Sequence, residues 1–213
     1  MSLSLIVFDC DGVILESVNV KTDAFARVAE PFGPEVKKAL VDYHVENGGV
    51  SRYKKFEWMF REVLGREITP EELDDLGRKY AEYAFEGVLN APLVHGVYEV
   101  LEAWHGKVPM YVCSGAPHEE LTTILQERGL SRFFEGVYGS PPGKTELLRK
   151  VVTMAGAAPA ETVMIGDSKT DLVAAEAVGT MFYGRGDYFA KGTHPWGMDL
   201  TGLDAWLRSR AGI

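Results

Sequence analysis

A short β-branched apolar run at residues 3–8 (LSLIVF) stops at Asp9-Cys10-Asp11-Gly12. It reads as a buried strand ending at a turn. From about Ser17 to Leu89 no second run of this kind appears, only amphipathic segments of helical length broken by Gly and Pro, over 18–30, 35–46, 51–64 and 70–88. The last has the clearest start, with Thr69 as N-cap, Pro70 at the first helical position and Glu72 completing a capping box. From Pro92 onward strands and helices alternate: helix 97–104, strand 108–112, helix 119–128, a weak strand at 136–138, helix 145–155, strand 162–165, helix 171–178, strand 180–183 and helix 203–210. Such alternation implies an α/β fold, a parallel sheet with helices on both faces. The all-helical stretch is then an insert, which divides the chain into a discontinuous core of residues 1–15 and 89–213 and a helical unit of residues 16–88.

Composition excludes several classes of function. Of 213 residues, 22 are Lys or Arg and 31 are Asp or Glu, a net charge of −9 that leaves no field to hold a nucleic acid polymer or an anionic membrane. At 46% apolar and 25% charged, the chain can bury a sizeable core. Two cysteines, Cys10 and Cys113, are too few for a disulfide scaffold and lack C-x-x-C spacing. His44, His95, His105, His118 and His194 show no metal-binding spacing, and His118 alone stands near an expected strand end. No apolar run approaches the ~20 residues of a membrane span and the start lacks a secretory signature, so a cytoplasmic protein is expected.

In an open parallel sheet, ligands bind beyond the carboxyl ends of the strands. Those ends carry Asp9-Cys10-Asp11, Ser114-Gly115, Gly143-Lys144 and Gly166-Asp167-Ser168-Lys169-Thr170-Asp171. Carboxylates that converge repel one another unless a cation sits among them, and all-oxygen ligation favours Mg²⁺, with Asp9 and Asp167 as natural ligands. Ser114, Gly115 and Lys144 supply donors and a positive charge, the complement of a phosphoryl group. A metal-bound Asp9 stays ionised as nucleophile while Asp11 shuttles a proton, and Cys10 between them packs as a small hydrophobe.

These segments, in order, resemble the four motifs of the haloacid dehalogenase superfamily: Asp9-Cys10-Asp11-Gly12-Val13-Ile14, Ser114, Lys144, and Gly166 to Asp171. The position of the helical insert resembles the cap of the phosphoglycolate phosphatase and β-phosphoglucomutase branch. The resemblance implies a Rossmann-like core and an aspartyl-phosphate on Asp9, with Asp11 protonating the leaving group and then activating water. It also implies Mg²⁺ held by the Asp9 carboxylate, the Asp11 backbone carbonyl and Asp167, with Ser168 and Asp171 supporting the metal or the lysine. Asp11 departs from the pattern of true dehalogenases and of phosphonate-cleaving members, which lack a second aspartate there. Glu16 replaces a common Asp, and Ala177-Val178-Gly179 replaces the usual Ala-Gly helix ending; neither touches the chemistry.

Between Glu46 and Glu57 there is no acid, yet Arg52, Lys54 and Lys55 follow Gly48-Gly49, which suits a loop that meets an anionic substrate. Arg52, with its planar fork, is the leading candidate to contact it. The aromatic stripe Tyr53, Phe56, Trp58, Met59 and Phe60 reads as packing within the helical unit. Gly139-Ser-Pro-Pro-Gly143-Lys144-Thr145 resembles a P-loop but has Tyr138 where the first glycine belongs, and its prolines lack the backbone donors of a phosphate cradle. The expectation is an enzyme that hydrolyses a small anionic phosphomonoester as a monomer or homodimer. The alternatives are a phosphosugar mutase sharing the aspartyl-phosphate step and a non-catalytic binder on the same fold.

Overall fold

In the computed structural model, which describes residues 3–212, the opening apolar run forms β1 (Leu5–Phe8). Met1, Ser2 and Ile213, which the expected core includes, lie outside the described residues. All four residues of β1 are buried, Ile6 and Phe8 in one hydrophobic cluster and Leu5 and Val7 in another. The absence of alternation in this run therefore reflects packing on both faces of the sheet.

After β1 the chain enters α1 (Val18–Ala29), α2 (Pro34–Glu46), α3 (Arg52–Trp58) and α4 (Pro70–Leu89). The third expected helix does not run straight to residue 64: Met59–Val63 winds as a π-turn, with Leu64 N–H donating to Met59 C=O at 3.1 Å. α4 starts as its cap signals require, with Glu72 N–H on Thr69 Oγ1 at 3.2 Å and Thr69 N–H on Glu72 Oε2 at 3.0 Å. The aromatic stripe splits by face: Phe56, Met59 and Phe60 are buried, whereas Tyr53 is exposed and Trp58 stacks on Tyr43 at the margin. The segments leading into and out of these helices run side by side, with Glu16 N–H on Pro92 C=O at 2.9 Å and Val94 N–H on Ile14 C=O at 3.0 Å.

The remainder alternates as expected through α5 (Val97–Trp104), β2 (Met110–Pro117), α6 (His118–Glu127), β3 (Gly136–Ser140), α7 (Lys144–Met154), β4 (Thr162–Gly166), α8 (Lys169–Val178), β5 (Met181–Arg185), β6 (Trp196–Gly197) and α9 (Leu203–Ala211). Among the described residues the strands form one parallel sheet in the order β3-β2-β1-β4-β5-β6. The order reverses at β1, between β2 and β4, and this is the crevice where an open α/β sheet binds ligands. β2 runs five residues beyond its expected end at 112, because Pro117 still pairs with Ser140 after a shift in register past Cys113. Backbone pairing, without apolar side chains, carries the strand that far. Among the described residues no helix is long and apolar enough to cross a membrane.

Candidate active site

Three carboxylates meet at the crevice. Asp9 follows β1, held by its own N–H on Ile165 C=O at 2.9 Å, Asp167 follows β4, and Asp171 sits in the first turn of α8. Carboxylate oxygens of the three lie within 4.8 Å of one another. Gly12 makes room for the cluster: it has φ +74°, and a Cβ there would collide with the Asp167 carboxylate.

Lys144, buried at the start of α7, stands between two of these acids, with Nζ 2.8 Å from Asp9 Oδ2 and 2.5 Å from Asp171 Oδ1. The other Asp171 oxygen accepts from Ser168 Oγ at 2.5 Å and Ser168 N–H at 3.1 Å, a reciprocal cap that fixes the start of α8. Asp171 is thus engaged by the lysine and the cap, and Asp9 by the lysine and by Cys10 N–H on its Oδ1 at 2.7 Å, so that Asp167 is the least committed of the three. One ammonium among three carboxylates leaves an excess of negative charge. Burial and the neighbouring acids accordingly push Asp9 up to about 7 against the pull of Lys144, and burial and Asp9 push Asp167 well up too. For Lys144, the two carboxylates outweigh burial and hold its ammonium above the ordinary lysine range. A crowded, buried, all-oxygen donor set with surplus negative charge fits a hard divalent cation such as Mg²⁺.

The other expected groups border the same space. Ser114 is buried in β2, its Oγ accepting from Ala116 N–H at 3.1 Å. Gly115 lies so close to the Gly49 carbonyl that any side chain would collide with it. Asp11 receives Ser17 Oγ at 2.6 Å and an ion pair from Lys21. Burial works to raise the Asp11 carboxyl, but the Lys21 charge and the two hydrogen bonds outweigh it and hold the group below its ordinary range. Cys10 and Cys113 are free and buried, and burial pushes the Cys113 thiol up to about 12, so neither is a reactive thiolate. His118 stacks on Tyr138 and does not line the cavity.

The helices close one side of a cavity of about 390 Å³ that reaches from Asp9, Asp11 and Asp167 to Lys21, His44, Lys55 and Tyr80. Arg52 lines it too, but its guanidinium makes a bidentate pair with Glu120 of α6 and stacks over Tyr80 at 4.4 Å. Its donors therefore tie α3 to α6 from a position in the cavity wall. Lys54 is exposed and pairs with Glu57 at 2.8 Å. Gly48 C=O accepts from Thr170 Oγ1 at 2.6 Å, a second tie between the helices and the strand ends.

The sequence pattern does not mark Lys21, His44 or Glu120 as site residues. Lys21 lies one turn into a helix that begins just after Asp11, and that nearness is the one signal that pointed to it. For Glu120, 68 residues from Arg52, there was none.

Comparison with known proteins agrees with this geometry. Residues 3–179 match the family model of haloacid dehalogenase-like hydrolases. The chain is 28% identical over 200 residues to a phosphoglycolate phosphatase of Vibrio parahaemolyticus, covering 85% of this chain and 83% of the relative. It is also 28% identical over 192 residues to one of Photobacterium profundum, covering 82% and 80%. Among solved structures, β-phosphoglucomutase from Clostridium difficile superposes with a TM-score of 0.81 at 16% identity, covering 100% of this chain and 98% of that one. CbbY from Rhodobacter sphaeroides, solved with phosphate, gives 0.74 at 15% identity, covering 94% and 96%. By its matched motifs, its parallel sheet and the carboxylate cluster at its switch point, the chain belongs to the haloacid dehalogenase-like hydrolase family.

Proposed function

We propose that this chain is a Mg²⁺-dependent phosphatase that hydrolyses a small phosphomonoester, of the phosphoglycolate or sugar phosphate class, through an aspartyl-phosphate on Asp9. The observation that carries the reading is Lys144 held between Asp9 and Asp171, with Asp167 beside them and Asp11 two residues from the nucleophile. The phosphoglycolate phosphatases among its relatives support the substrate class.

Asp9 attacks phosphorus while the bond to the leaving oxygen breaks, and Asp11 gives that oxygen a proton. The negative charge of an incoming phosphate beside Asp11 favours its protonated form and offsets Lys21. Asp11 then takes a proton from water, which attacks the acyl phosphate and releases inorganic phosphate and free Asp9. Ser114 and the Gly115 backbone, which line the cavity, and Lys144 beside Asp9 orient the phosphoryl oxygens. Mg²⁺, which the Asp9 and Asp167 carboxylates and the Asp11 carbonyl would hold, supplies positive charge against those oxygens. Residues 16–88 act as a cap that shields the reaction from bulk water, with Arg52 positioning it through Glu120. The cytoplasm suits this chemistry and the free, buried thiols.

The experiment is an assay of phosphate release from a panel of phosphomonoesters with Mg²⁺ and with EDTA. Metal-dependent release supports the reading. Transfer to a second sugar phosphate without release replaces it with a mutase.

A further inference from the structure

We infer that Lys55, oriented by His44, binds a carboxylate on the substrate at the end remote from its phosphate. This rests on the phosphatase reading and narrows its substrate class.

Lys55 is 1% exposed, yet among the described residues no carboxylate lies within ion-pair distance of its ammonium. Its partner is His44 Nδ1 at 2.7 Å. An ammonium only donates, so His44 accepts through Nδ1 and carries its proton on Nε2, a buried atom with no acceptor among the described residues. A buried cation with a neutral partner lacks the counter-charge that normally makes such burial tolerable. Lys55 lines the same cavity as Asp9 and Asp167, which places it within reach of a small molecule bound there.

Three other cations in and beside the cavity are already matched: Lys21 by Asp11, Arg52 by Glu120, and Lys144 by Asp9 and Asp171. One positive charge is therefore left over in the buried wall. A carboxylate brings one negative charge and only acceptor atoms, matching a single ammonium with N–H groups to spare. A second phosphate brings about 1.5 to 2 negative charges at neutral pH, more than one lysine offsets. The Phe25 ring lies 5.2 Å from the ammonium and shields it from water, which strengthens the pairing. The cavity favours a phosphorylated hydroxy acid over a sugar bisphosphate.

The test is calorimetric titration, with Mg²⁺ present, of phosphoglycolate and of ethyl phosphate, which lacks the carboxylate, into Asp9→Asn protein and into Asp9→Asn/Lys55→Met. The Asp9→Asn protein is expected to prefer phosphoglycolate by about 10- to 100-fold, the range of one charge-assisted hydrogen bond, and Lys55→Met to erase that preference. Lys55→Gln, which keeps a donor without the charge, should behave like Lys55→Met, and Lys55→Met should unfold at a higher temperature because an unmatched buried charge is gone. A preference that survives both substitutions, or an equal loss for both esters, overturns the inference. Failure of the wild-type protein to release phosphate from any ester counts against the phosphatase reading alone, since the titration reads binding without turnover.

Discussion

Lys144 Nζ lies 2.8 Å from Asp9 Oδ2, and the same ammonium reaches Asp171 on the other side. All three side chains are nearly or fully buried, so the strand end that bears Asp9 is joined electrostatically to α7 and α8. Stability and chemistry therefore share one ion cluster.

Lys144→Met should lower stability by about 3–5 kcal/mol, because it leaves Asp9 and Asp171 buried without their counter-charge. Denaturant unfolding without metal measures it. Adding Asp171→Asn should restore part of the stability while activity stays lost; a Lys144→Met protein as stable as wild type contradicts the electrostatic role.

Asp11→Ala should cost about 10²- to 10⁴-fold in turnover of an alkyl phosphate, the usual range for a general acid. With p-nitrophenyl phosphate the leaving group needs little protonation, so the loss in that step shrinks. Comparing kcat for both esters checks it, and equal losses exclude the acid role.

Arg52→Ala and Glu120→Ala should raise KM to a similar extent, and the double variant should add little to either, because the two act as one contact between α3 and α6. The coupling energy expected for such contacting charges is about 0.5–3 kcal/mol. If Arg52→Ala raises KM while Glu120→Ala does not, Arg52 touches substrate directly.

Burial, and after it the Lys21 charge, lowers the Lys55 ammonium to about 7, with His44 beside it and Asp11 and Lys144 further off. Below that pH, Lys55 is charged in both the folded and unfolded chain, and the full cost of burying the charge is present. As pH rises from about 7 towards the unfolded value of 10.5, the folded lysine loses its proton first and the cost fades. Lys55→Met lacks this titration, so its stability advantage over wild type should be largest below pH 7 and narrow towards 10.5. Urea unfolding of both proteins across that range measures it, and a constant difference contradicts the shift.

The elements buried on both faces were readable directly: β1 is an unbroken apolar run and β4 has an apolar centre, Val163 to Ile165. β3 was faint because it is an edge strand with partly exposed residues, and β6, two residues long, exists only through its pairing with β5. The extension of β2 through Ser114 to Pro117 likewise depends on backbone register to β3, which side-chain pattern does not encode. At the site, Asp9, Lys144 and Asp167 were legible because each follows a strand and the topology gathers strand ends, and Ser114 because it stands just past the apolar part of β2. Arg52 was legible as a cation facing the cavity, but its pairing was not, since its partner Glu120 comes from a helix in the other half of the sequence. Lys21 and the His44–Lys55 pair meet the cavity only once α1, α2 and α3 pack together.

The most direct test of covalent catalysis at Asp9 is phosphate release by wild-type and Asp9→Asn proteins, each with Mg²⁺ and with EDTA. The account predicts release only by wild-type protein with Mg²⁺, with Asp9→Asn folded but inactive because an amide cannot attack phosphorus. Substantial release by pure Asp9→Asn protein, or release that persists in EDTA, would contradict it.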